Sequence, residues 1–171
     1  MIKKLTVVVF AALAVAAMSG RVYASQTDTE DVDILVQPSV QVTLTASPTT
    51  YDFGVLDVGT SSYSATAVTL TNAGEVNVDI DVRVTDDGTW TLVDTESPDE
   101  NQFSLRVGTG TERLTERTDF TALTTSDVAL PGGSDVGTTQ EIGTWYWIDM
   151  PGSVTSTDQQ KFTLQYTATS R

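Results

Sequence analysis

The strongest constraint in this chain is a two-residue alternation of β-branched and polar side chains, clearest in residues 76–84. Every second residue there is Val or Ile, and the residues between them include Asp79, Asp81 and Arg83. Successive side chains of a β-strand point to opposite faces. The pattern therefore predicts a strand with one buried face and one solvated face.

Shorter segments with the same alternation recur along the chain and are separated by turn-forming Gly, Pro, Asn and Asp residues. They fall at residues 32–36, 40–44, 64–71, 103–107, 142–148 and 162–168. Many short strands at this spacing are typical of a sandwich or barrel. We predict an all-β fold, a single immunoglobulin-like antiparallel β-sandwich of about nine or ten strands. Only residues 112–119 favour a helical turn.

The first 24 residues have the pattern of a signal peptide. Lys3 and Lys4 precede an apolar run from Leu5 to Met18, and the modest Val22 and small Ala24 occupy the minus-three and minus-one positions of the expected cleavage site. The run is shorter than the roughly 20 apolar residues of a membrane span. We expect cleavage after Ala24 and no membrane insertion afterwards, with an uncleaved anchor as the alternative. The expected destination is the periplasm or the exterior, with association to the cell surface left open.

Two segments follow the predicted signal peptide. Residues 25–31 are polar and acidic and predict a disordered arm, and residues 32–171 then form the β-sandwich domain. The whole chain has a net charge of −14, and loss of Lys3, Lys4 and Arg21 leaves 6 basic residues against 23 acidic ones, a net charge of −17. Such a charge argues against binding to nucleic acid or to anionic membranes.

The chain contains neither histidine nor cysteine. This removes the commonest general base, the commonest zinc ligand and every Ser-His or Cys-His nucleophilic pair. Paired carboxylates can hydrolyse glycosides, but no local motif singles out one pair among the 23 acidic residues. We therefore predict a protein that is not an enzyme and has no catalytic residues.

An acidic loop at residues 94–101 is the one candidate for a bound ion. Asp94, Glu96, Asp99 and Glu100 supply carboxylate oxygens, which calcium prefers, although their spacing does not match an EF-hand. The alternative is a solvated acidic loop. No other cofactor is expected.

The aromatic run Trp145-Tyr146-Trp147 has two interpretations. On a strand, Trp145 and Trp147 share one face while Tyr146 and Ile148 share the other. An exposed aromatic face could stack on sugars, so glycan binding is one interpretation. Large aromatics more commonly supply buried area in a core, and core packing is the favoured one.

Residues 46–80 resemble the start of the ASH-type (abnormal-spindle and hydin-like) immunoglobulin-like domains of secreted bacterial proteins. The matching positions are Pro48, Asp52, Phe53, Gly54, Val58, Gly59, Thr60, Thr71, Asn72 and Gly74. The resemblance implies that Phe53 is the buried anchor of a short strand, and that Gly54 and Gly59 adopt backbone angles that side chains disfavour. It also implies that Asn72 and Gly74 form a tight turn. These domains serve mostly as structural or binding modules.

The N-terminal architecture is similar, more loosely, to that of secreted biofilm-matrix fibre subunits. In those proteins an N-terminal strand of one subunit completes the sheet of the next, and residues 32–36 are placed to do the same. We therefore expect a self-associating extracellular or cell-surface subunit that uses strand addition. The alternative is a monomeric adhesion or ligand-binding module that depends on calcium or carbohydrate.

Overall fold

The computed structural model of the protein describes residues 40–86 and 88–171. This part of the chain is nearly all β, with ten strands and no α-helix. Its one helical element is a 3-10 turn at Arg117–Asp119, inside the predicted stretch 112–119. No helix in the described part is long and apolar enough to cross a membrane. The predicted signal peptide, acidic arm and strand 32–36 lie outside the described residues.

Seven of the ten strands form the first sheet. Its main path runs β1 (Leu44–Ser47), β3 (Val68–Asn72), β9 (Glu141–Asp149), β6 (Gln102–Thr109) and β5 (Thr91–Leu92). Two short strands lie off this path: β2 (Ser61–Tyr63) pairs with β9, and β7 (Thr121–Ala122) pairs with β6. All these pairs are antiparallel except β5–β6, which is parallel. The antiparallel prediction is wrong there, because the loop 93–101 returns the chain to the start of β5 before β6 begins.

The second sheet has the order β10 (Thr163–Ser170), β4 (Val78–Asp86) and β8 (Val128–Ala129). The strand with one buried face that residues 76–84 predict is confirmed, since Val78, Ile80, Val82 and Val84 are 0–2% exposed. Residues of the first sheet, including Leu70, Phe103, Leu105, Val107 and Ile148, complete the same apolar cluster. Burial of each such side chain contributes about 1.5–3 kcal/mol. The result is a sandwich-like all-β fold.

The backbone angles expected from the ASH resemblance occur at both glycines. Gly54 has φ +73° and Gly59 has φ +68°. The Asn72 side chain is fully buried; its Nδ2 donates to the carbonyls of Val76 and Val136, each at 2.9 Å, and its Oδ1 accepts from the Gly74 amide at 3.0 Å. A Cβ on Gly74 would lie 2.5 Å from a neighbouring main-chain oxygen, so the turn excludes a larger residue.

Two expectations near the start of the domain are wrong. Phe53 is only half-buried and lies outside any strand. Val40 and Val42 were expected on the buried face of a strand, yet they are 51% and 38% exposed, and β1 begins only at Leu44. The carbonyls of Gln41 and Thr43 accept hydrogen bonds from the Glu75 and Ala73 amides, but no described segment covers the side chains of Val40 and Val42.

Candidate functional site

The two sheets leave a groove between two edge strands. In the described part of the chain, β1 pairs only with β3, and β10 pairs only with β4. Side chains from both edges line one groove of about 1100 Å³, which exceeds the 300–1,000 Å³ of ordinary small-ligand pockets. Its apolar lining includes Ala46, Leu56, Met150, Val154, Phe162 and Leu164.

The inner face of β10 is incompletely covered. Leu164, Tyr166 and Ala168 alternate with exposed polar residues and point inward, yet each is only partly buried. The equivalent residues of the adjacent strand β4 are 0–2% exposed. Both strands belong to one sheet, so the difference arises because the first sheet covers β4 and leaves β10 open to the groove.

The free edge of β10 also carries main-chain hydrogen-bonding groups. On β4, Ile80 donates to the Gly133 carbonyl and accepts from the Leu130 amide, both on the side away from β10. Main-chain N–H and C=O groups alternate in direction along a strand, so those of the odd-numbered β4 residues point toward β10. Asp81 lies opposite Thr167, so the odd-numbered residues of β10 use their main-chain groups to pair with β4. The intervening residues of β10 direct their N–H and C=O groups to the free edge: Leu164, Tyr166 and Ala168.

Two of the exposed apolar side chains line this groove, Val55 and Val58. Four large hydrophobic residues in the described part are exposed: Val40, Val42, Val55 and Val58. All four lie between residues 40 and 58, the segment that contains β1 and one wall of the groove, and Val55 is fully exposed. Exposed apolar side chains at a groove, such as Val55 and Val58, mark interaction sites more often than isolated ones do.

A chain of three hydroxyl groups connects the two sheets beneath the groove. The Tyr166 hydroxyl on β10 lies 2.8 Å from the Tyr146 hydroxyl on β9, which in turn lies 3.1 Å from Thr144 Oγ1. Thr144 donates to the Val68 carbonyl at 2.7 Å. Burial raises the pKa of Tyr146, and burial together with the neighbouring Tyr146 raises the pKa of Tyr166.

These raised pKa values predict a loss of stability in alkali. The folded state holds both protons more tightly than the unfolded chain, so their contribution is complete below pH 10 and declines as the pH rises above it. At pH 11 the expected cost is about 1.4 kcal/mol for Tyr166, the more strongly shifted of the two. Urea unfolding at pH 9 and pH 11 measures it. A Tyr166→Phe variant should lose less stability between these pH values, and an equal loss would contradict the assignment.

The aromatic run on β9 divides between the two faces of its sheet. Tyr146 and Ile148 belong to the core, as their alternation requires. On the outer face, the Trp147 ring stacks on Tyr63 with centroids 5.9 Å apart and lies 5.9 Å from Phe120. Trp145 is buried there and donates from Nε1 to the Gly110 carbonyl at 3.1 Å. Protein groups therefore cover much of this aromatic face, and glycan binding stays a prediction.

A buried carboxylate, which the sequence did not single out, lies at the end of the same face. Asp149 is 1% exposed and accepts hydrogen bonds from Ser61 Oγ and Trp147 Nε1, each at 2.7 Å. Its second oxygen accepts from Arg117 Nε at 3.0 Å. This network attaches the 3-10 turn to the outer face of the first sheet.

The four predicted calcium ligands are not brought together. Asp94 pairs with Arg106 at 2.8 Å, and Glu96 pairs with Arg117 at 3.2 Å. The Asp99 carbonyl accepts from the Gln102 amide, and Glu100 is exposed. Among the described residues no group of three or more acidic side chains could hold a metal ion. The calcium site stays a prediction, with two of its carboxylates already in contact with arginines.

We compared the chain with models of known protein families, with curated proteins and with solved structures, and none of them matches it.

Proposed function

We propose that this protein is a secreted, non-enzymatic structural subunit that assembles by strand addition. The segment 32–36 of one copy lies along β10 of the next and extends the second sheet by one strand. Its alternate residues Val32, Ile34 and Val36 fill the groove, while its main chain pairs with the free edge. The assembled form is a filament outside the cell or at its surface.

The observation that carries this proposal is the coincidence of a free edge with an uncovered apolar face on β10. Leu164, Tyr166 and Ala168 have half-buried side chains, and at the same three positions their main-chain groups pair with no strand in the described part of the chain. One strand with alternating apolar residues satisfies both requirements at once. Five residues span about 17 Å against about 26 Å for the eight residues of β10, so the incoming strand fits within the edge.

We further propose that the domain is an immunoglobulin-like sandwich of the ASH type. The positive φ angles of Gly54 and Gly59 and the turn formed by Asn72 and Gly74 support this assignment. Such domains serve mostly as structural or binding modules, which agrees with a structural role for this protein.

Deleting residues 25–36 from the secreted form tests the function. The full mature chain is expected to form filaments or large oligomers in negative-stain microscopy and sedimentation, whereas the deletion variant is expected to stay monomeric with an unchanged melting temperature. A matched pair refines the test: Ile34→Asp should prevent assembly, and Ile34→Val should preserve it. A mature chain that is monomeric at every concentration and salt level would refute the proposal.

A further inference from the structure

We infer that strand addition is controlled by ionic strength, because the incoming segment and the surface that receives it have the same sign of charge. This inference rests on the proposed function and describes the regulation of the same groove. Residues 25–39 contain four acidic and no basic residues, and residues 40–171 contain 19 acidic and 6 basic ones. Docking therefore brings a segment of charge −4 against a domain of charge −13.

The positive groups of the domain do little to offset this repulsion. Of its six cations, Arg83, Arg106, Arg117 and Arg171 already pair with carboxylates. Arg113 lies over the Tyr63 ring, with its guanidinium carbon 5.4 Å from the ring centroid. The arginines that could attract an acidic segment are thus engaged within the described part of the domain itself.

The groove offers a single lysine to an acidic partner. Lys161 lies at its rim, just before β10, and makes no ion pair or side-chain hydrogen bond with the described residues. Asp52 and Asp158 also line the groove and are exposed. The charged side chains described at the groove therefore sum to −1, and they do not attract the three acidic residues immediately before Val32: Asp28, Glu30 and Asp31.

Screening should then govern the rate of assembly. The Debye length falls from about 30 Å at 0.01 M salt to about 3 Å at 1 M, so repulsion between the exposed charges is largely removed at high salt. Electrostatic effects on association rates reach 10-fold to 1,000-fold. We expect the rate of filament formation to rise at least tenfold between 0.02 M and 1 M NaCl. Apolar contacts in the groove would not by themselves make the rate of filament formation depend on NaCl concentration in this way at low salt.

The experiment follows light scattering by the mature chain across this salt range and compares two triple variants. Asp28→Asn/Glu30→Gln/Asp31→Asn neutralises the segment before Val32. Glu75→Gln/Glu112→Gln/Glu141→Gln makes the same change in net charge at exposed residues whose carboxylates have no ion pair or side-chain hydrogen bond with the described residues. The first variant is expected to assemble rapidly in 0.02 M NaCl and to lose most of its salt response. The second should retain the response of the unmodified chain.

The outcomes separate this inference from the function on which it rests. Filaments whose rate is independent of salt, or falls with salt, would overturn ionic control and leave strand addition intact. Equal effects of the two triple variants would overturn the role of the segment before Val32. If 1 mM CaCl₂ accelerates filament formation as much as 1 M NaCl does, a specific ion site controls assembly and the screening explanation is wrong. If no filaments form in any condition, the proposed function itself fails.

Discussion

Replacement of Asp149 by alanine is expected to lower the free energy of unfolding by about 3–5 kcal/mol. The carboxylate is 1% exposed and receives hydrogen bonds from three side chains, Ser61, Trp147 and Arg117. Its removal leaves the Nε–H of a partly buried guanidinium and an indole N–H without their acceptor. The cost therefore includes the desolvation of stranded donors as well as three lost hydrogen bonds. Urea denaturation with intrinsic tryptophan fluorescence measures the change.

A second carboxylate on the same arginine supplies a matched control. Glu96 accepts from Arg117 Nη1 at 3.2 Å, but its side chain is 75% exposed. Solvent competes for that ion pair, so Glu96→Gln should change the unfolding free energy by less than about 1 kcal/mol. If Glu96→Gln and Asp149→Ala lowered the free energy of unfolding equally, the burial of Asp149 would not be the reason for its contribution to stability.

The part of the fold that was predictable from sequence is the part that local chemistry determines. The alternation in residues 76–84 correctly places four β4 side chains in the core, because strand geometry leaves such a pattern only one arrangement with its apolar face buried. The Asn72 and Gly74 turn follows likewise from side-chain chemistry within three residues. Helical tendency in residues 112–119 correctly located the 3-10 turn.

The pairing of the strands was not accessible by the same reasoning. The alternation of residues 162–168 resembles that of residues 76–84, yet among the described strands β4 is central and β10 lies at an edge with a partly covered inner face. Sequence periodicity records which side chains are apolar and carries no information on what covers them. The parallel β5–β6 pair was missed for the same reason, since a two-residue strand has no readable period.

The Asp149 network was missed because its partners are distant in sequence. Ser61 and Arg117 are 88 and 32 residues away, and only the fold brings them to one carboxylate. One signal was present: Asp149 continues the face of Trp145 and Trp147 on a strand, so an acidic group next to an indole N–H could have been inferred. By contrast, Asp94 and Glu96 were selected because they cluster in sequence, and in the structure each contacts a different arginine.

Substitution of Ala168 by proline is expected to abolish filament formation while leaving the monomer folded. Residue 168 directs its N–H to the free edge of β10, because its neighbour Thr167 lies opposite Asp81 and pairs with β4. Proline is tolerated on an edge strand when the missing N–H faces solvent, so the melting temperature should change little. An incoming strand, however, loses one main-chain donor and meets the pyrrolidine ring in its path.

The neighbouring residue on the strand, Thr167, supplies a control for this prediction. Thr167→Pro removes an N–H that faces β4, so it breaks a ladder hydrogen bond between β10 and β4 and should lower the melting temperature. Ala168→Ser keeps the free N–H and should assemble normally. Sedimentation and circular dichroism of the three variants therefore distinguish a blocked edge from a damaged fold. Normal filaments from Ala168→Pro would mean that copies associate through another surface, and β1, the second open edge of the groove, would then be the one to block.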